Sequence, residues 1–192
     1  MKNYWFCTIL FIMLVGSMGC SEETTSSIPT GMKEFTNEEV NIATIIGKDW
    51  VEVDGEHIST NSVTFSVDHN TEISVHTSSY FGTYHTDHEV DFLQEYYKNS
   101  NSYEEFVDLF LDKIKEETSH ELKEIEKVNN NTQIFAQTTD YSEMVFSLIV
   151  KEETPFLIVH SKRTENPELE LIKDGESYRD FVQMVHHTGP LK

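Results

Sequence analysis

"VFSLIVKEETPFLIVHS" (residues 145–161) consists of two apolar runs on either side of a charged stretch that contains Pro155. Each run has the length and the β-branched and aromatic content of a strand. The break between them carries groups that favour a turn. The stretch therefore predicts a β-hairpin, with strands at residues 144–151 and 156–162.

Upstream, residues 125–128 and 133–138 read as two further strands, with Asn129-Asn130-Asn131 as the turn between them. Leu122, Ile125 and Val128 are three apart, so a helical extension is also open for the first of these. Residues 62–67 and 72–77 alternate apolar and polar, and Asp68-His69-Asn70-Thr71 between them has turn chemistry, which predicts a second hairpin. Asp68, Asn70 and Glu72 alternate like the start of a calcium loop. The glycine and the closing Glu of such a loop are missing, so they read as turn residues. Residues 36–47 fit either a helix capped by Thr36 and Glu39 or a strand built on Val40, Ile42, Ile45 and Ile46; the β-branched run favours the strand.

Two segments read as helices. Over residues 102–118, Ser102 and Glu105 have capping-box spacing, and Tyr103, Phe106, Val107, Phe110 and Ile114 form one apolar stripe. Tyr178, Phe181, Val182 and Val185 mark a closing helix that stops before Gly189-Pro190, with His186 and His187 in its last turn. Strand runs separated by helices and joined as hairpins predict an α+β fold: an antiparallel sheet covered by amphipathic helices. No internal repeat is visible, and residues 36–192 read as a single domain.

The N-terminus is of another kind. Tyr4 to Val15 is apolar apart from Thr8, follows Lys2, and is too short for the ~20 residues a membrane-spanning helix needs. It reads as a signal-peptide core, with residues 1–19 removed. Ser17-Met18-Gly19-Cys20 resembles the lipobox of bacterial lipoproteins, with Ser17 standing where that family usually has Leu. The resemblance implies cleavage before Cys20 and a diacylglycerol on its sulfur. Two or more acyl chains hold a protein to a bilayer where one does not. Cys7 lies in the removed segment, so no disulfide is expected, and residues 20–35 read as a flexible tether.

The chain carries 34 acidic and 14 basic residues, a net charge of −20. That excludes nucleic acid as a partner, because phosphate contacts need cations. An anionic bilayer would repel such a surface, which leaves the lipid as the membrane anchor.

Four stretches resemble the PsbP-like fold, shared by the extrinsic photosystem protein PsbP, a Ran-binding nuclear import factor and many bacterial lipoproteins. "GKDWVEV" (47–53) is similar to its Trp-containing turn, and "SYEEFVDLFLDKIKEE" (102–117) to its first main helix. "VNNNTQIFAQTT" (128–139) is similar to its strand–turn–strand. "FLIVHSKRTENPELELIKDGESYRDFVQMV" (156–185) is similar to its last strand, loop and closing helix. Residues 76–101 depart from the pattern and look inserted. The resemblance implies binding or assembly, and brings no catalytic residues with it.

The residues that could carry chemistry form only weak signals. In "YHTDHEVD", His85, Asp87, His88 and Glu89 are zinc-ligand types, but Thr86 and Glu89 have capping-box spacing and the histidines lack the paired spacing of known sites. "HELKE" (120–124) has Glu124 where a metalloprotease helix needs its second His. Tyr80, Phe81 and Tyr84 read as partly buried, with an exposed aromatic loop as the other reading. No phosphate loop, dinucleotide turn or nucleophile elbow occurs. The expectation is a lipid-anchored, non-enzymatic binding or assembly protein on the outer face of a bacterial membrane, with an envelope protein as partner. No catalytic residue, metal or cofactor is assigned. The alternative is a metal or small-ligand binder that uses His85 to Glu89.

Overall fold

A computed structural model describes residues 27–53, 61–78, 92–118, 122–165 and 167–192. Its centre is the hairpin expected from the opening stretch. Strands β8 (Ser142–Lys151) and β9 (Thr154–Arg163) pair antiparallel from Ser142 opposite Arg163 to Lys151 opposite Thr154. Glu152 and Glu153 form the tight turn with φ of 50° and 61°. A two-residue turn with both central residues at positive φ matches the twist of the strands but suits Asn and Gly far better than Glu. Replacing Glu152-Glu153 by Asn-Gly is therefore expected to stabilise the domain by about 1 kcal/mol, after the larger entropy loss of Gly is counted. The exposed Lys192–Glu152 ion pair at 3.5 Å would be lost at little cost. Thermal melts of the paired variant against wild type measure the gain.

Five further strands complete one seven-stranded antiparallel sheet. These are β3 (Val51–Glu52), β4 (Ser62–Ser66), β5 (Thr71–His76), β6 (Lys123–Asn129) and β7 (Thr132–Thr138). The order is β3-β4-β5-β9-β8-β7-β6, so the β5–β9 pairing joins an early meander to a late one. Both expected hairpins, β4–β5 and β6–β7, are present. The open question at Leu122, Ile125 and Val128 resolves to a strand. Register shifts between Glu124 and Glu126, and again between Lys127 and Asn129, let Ile125 and Val128 both lean on the same core despite their spacing of three.

Along β8 and β9 the side chains alternate between two cores. Val145, Ile149, Phe156 and Ile158 face one; Phe146, Leu148, Leu157 and Val159 face the other. Helices α1 (Phe92–Asn99) and α2 (Tyr103–Thr118) cover the second face, where Leu93, Phe106, Val107, Phe110 and Ile114 are buried. Helix α3 (Glu176–His187) covers the first through Tyr178, Phe181, Met184 and Val185, after a 3-10 turn at Leu169–Asp174. The expected cap of α2 forms in part. The Glu105 amide donates to Ser102 Oγ at 3.1 Å, while the Glu105 carboxylate reaches back to the amide of Asn101 at 2.7 Å instead of that of Ser102.

The N-terminal segment differs from expectation. Strand β1 (Met32–Asn37) begins inside the stretch read as tether and pairs with β2 (Ile42–Gly47). Residues 36–47 are thus not one strand. Asn37 Oδ1 accepts from the amides of Glu39 (3.0 Å) and Val40 (3.3 Å), and Asn41 takes φ 55°. An Asn that bonds the backbone ahead of it turns the chain, and a second Asn tolerates the left-handed conformation that completes the reversal. Thr36 lies within β1, so it caps no helix. The hairpin joins α3 on the first face, with Trp50 from the "GKDWVEV" turn packed beside it and against Phe65.

Candidate functional site

The tail after α3 runs back to β2. Ala43 and Gly189 exchange two backbone hydrogen bonds of 2.9 Å. Behind them Thr188 Oγ1 donates to the Met184 carbonyl at 2.8 Å, so the Thr44 hydroxyl, 2.8 Å away, donates to Thr188. Both threonines are buried. This seam and the β8–β9 turn enclose a cleft of about 530 Å³. Its apolar lining includes Ile28, Phe35, Ile45 and Leu191, and its polar lining includes Glu34, Lys151, Glu152 and His187.

The polar groups of the cleft are partly committed to the fold. Lys151 Nζ donates to the His186 carbonyl at 2.7 Å, and burial lowers the ammonium's pKa from its ordinary value. That bond satisfies one of the carbonyls left over at the end of α3. His187 Nδ1 sits 2.8 Å from the Gln183 carbonyl; a carbonyl only accepts, so Nδ1 carries the proton. The arrangement is a concave surface of mixed lining, with Thr44, Ile45 and Thr188 buried and Ile28 exposed.

Two histidines that the sequence did not single out lie in the interior. His160 Nε2 is 3.1 Å from Ser177 Oγ, and its ring stands edge-on to Phe181 with centroids 5.9 Å apart. Its Nδ1 is buried with no hydrogen-bond partner among the described residues. His76 Nε2 is 2.7 Å from Ser74 Oγ. Burial pulls both pKa values down to about 4. A histidine in an alternating strand carries no sequence mark that distinguishes it from an exposed one.

Of the residues singled out by sequence, Cys20, Tyr80, Phe81, Tyr84 and His85 to Glu89 lie outside the described residues, as does His120. Glu124 lies on β6, where it accepts from Gln133 Nε2 at 2.9 Å, so the segment from Lys123 is strand and not a metalloprotease helix. Asp68 Oδ1 accepts from the Asn70 amide at 2.7 Å, the turn role read for it. Among the described residues no group of three or more His, Cys, Asp or Glu is placed to hold a metal ion. No described helix is long and apolar enough to cross a membrane.

No protein-family model matches the chain, and no curated protein matches it. Solved structures do. The Ran-binding protein Mog1p of Saccharomyces cerevisiae matches with a TM-score of 0.54 at 12% identity, covering 83% of this chain and 95% of its own. A mutant of protein Mog1 matches with a TM-score of 0.53 at 11% identity, over 84% and 96%. Cyanobacterial PsbP from Synechocystis is matched over 86% and 96% at 10% identity, with a TM-score of 0.45. At these identities the likeness is one of fold. The α+β reading, an antiparallel sheet covered by amphipathic helices, stands.

Proposed function

We propose that this chain is a lipid-anchored, extracytoplasmic binding or assembly accessory of the bacterial envelope and not an enzyme. The observation that carries the binding role is the fold it shares with a Ran-binding protein. A cleft in which Lys151 and His187 are tied to carbonyls of α3 supports the same role. The anchor rests on the short apolar run before Gly19-Cys20, and the acidic surface leaves the holding to lipid. The partner is an envelope protein, and the membrane is reached through the lipid alone.

Cys20→Ala is expected to block processing and leave a larger, unacylated precursor, read by gel mobility and by labelling with a fatty-acid analogue. A variant that matures to wild-type size defeats the lipoprotein reading. Crosslinking of the wild-type protein in membranes, followed by capture, should recover one recurring envelope protein. Capture of the same protein at equal yield by an unrelated anchored domain would defeat the accessory reading.

A further inference from the structure

The end of the sheet opposite the β8–β9 turn carries a second concavity, of about 790 Å³. Three chain segments meet there. The Arg163 amide donates to the Asn70 carbonyl at 2.9 Å, and the Thr164 amide donates to the Tyr141 carbonyl at 3.0 Å. Ser142 lies directly opposite Arg163 in the β8–β9 ladder, which puts both side chains on one face of the sheet. The β4–β5 turn, the β7–β8 turn and the chain leaving β9 are thereby held in fixed relation by backbone bonds.

The lining is rich in donors. It includes Lys162 and Arg163 against the single carboxylate of Glu165, with the Asn70 amide and the hydroxyl of Ser142 beside them. Arg163 is one of two arginines in a chain of net charge −20. It is exposed, and among the described residues it makes no ion pair. In a molecule with 34 acidic residues, an arginine left without one among the described residues is available to an outside acceptor. Tyr141, 77% exposed at the rim, adds an aromatic surface for the body of a ligand.

We propose that this groove binds an oxyanion, a carboxylate or phosphate group, on the Arg163 guanidinium. The planar fork of arginine meets such a group through two parallel hydrogen bonds. The Asn70 side-chain amide, with one N–H toward His69 Nε2 at 3.1 Å, has a second to offer, and the Ser142 hydroxyl donates outward when Thr139 Oγ1, 2.8 Å away, donates to it. The overall negative charge does not forbid this. At physiological salt, charges beyond ~8 Å are largely screened, so distant carboxylates weigh little; Glu143, opposite Lys162 in the β8–β9 ladder, offsets that lysine and leaves the Arg163 guanidinium as the group that binds.

Two arginines make the test specific, because the full-length protein labelled with nitrogen-15 should give two side-chain Nε signals. Inorganic phosphate and acetate are titrated separately, at ionic strength held constant with sodium chloride. One Nε signal is expected to move and saturate, while that of Arg179 stays in place. Arg163→Gln should remove the moving signal and leave the Arg179 signal unaffected. Ser142→Ala, which keeps the guanidinium, should weaken binding several-fold. Saturation with phosphate alone, acetate alone or both supports the site and assigns the group it takes. Equal drift of both signals, or a linear response without saturation up to 50 mM, overturns it.

Discussion

Phe106→Ala is expected to destabilise the domain by ~3–5 kcal/mol, the usual cost of emptying a buried aromatic site. Phe106 is 0% exposed and lies on the inner side of α2. Its ring meets Tyr97 of α1 at 5.7 Å and Tyr103 of its own helix at 6.3 Å, both edge-on. Tyr103 is fixed from the other side, its hydroxyl donating to the Leu148 carbonyl at 2.9 Å. The tyrosine cannot swing into the hole without giving up that bond, so the cavity stays open and the upper part of the range applies. Dispersion and transfer terms are both lost, and the contact between α1 and α2 loosens with them. Asp108→Ala, two residues further along on the exposed side, should change stability by no more than about 0.5 kcal/mol. Urea unfolding of the two variants measures the contrast. A cost for Phe106→Ala equal to that of Asp108→Ala would mean that α2 does not rest on the sheet.

That stripe was visible in the sequence because a helix on a sheet buries one side, and residues at spacing three and four report which. The hairpins were visible for the same kind of reason: turn residues such as Asn129-Asn130-Asn131 bond locally, so their role needs no distant partner. Pairing between distant strands leaves no such mark. Nothing in residues 71–76 or 154–163 says that Ile73 lies opposite His160, although this pairing fuses the two meanders into one sheet. The reversal at Asn37 and Asn41 was hidden because the apolar pattern runs through it, with Val40 and Ile42 both buried on either side of a positive φ. The cleft was hidden for a further reason. It depends on Gly189 meeting Ala43, a contact between the two ends of the domain. Arg163 lies just past the strand expected at 156–162 and carries no mark of its own in the sequence, since an arginine without a carboxylate is recognisable only once its neighbours are known.

Lowering the pH from 7.5 to 5 is expected to cost this domain ~2 kcal/mol for each of His76 and His160. Each has a pKa of about 4 in the fold against 6.5 when free. Between those values the unfolded chain binds more protons than the native one, so stability rises with pH. Their contribution is whole above about 6.5, falls away as the pH drops toward 4, and below that changes no further. The cause at His76 is burial; at His160 burial comes first, with the charge of Lys162 working in the same direction and Asp68 against it. A proton on His160 would also sit beside Ser177 in the first turn of α3, where the helix dipole disfavours positive charge. Gln keeps a donor and an acceptor near the Nε2 position but has no charge to gain. His160→Gln is therefore expected to flatten the stability–pH curve between 4 and 6.5 by about half of the two-histidine effect. His76→Gln together with it should remove nearly all of that effect. The acidic surface titrates in every variant alike, so the difference from wild type isolates the histidines. Denaturant melts across that range provide the measurement, and identical slopes for wild type and both variants would show that neither ring is held neutral by the fold.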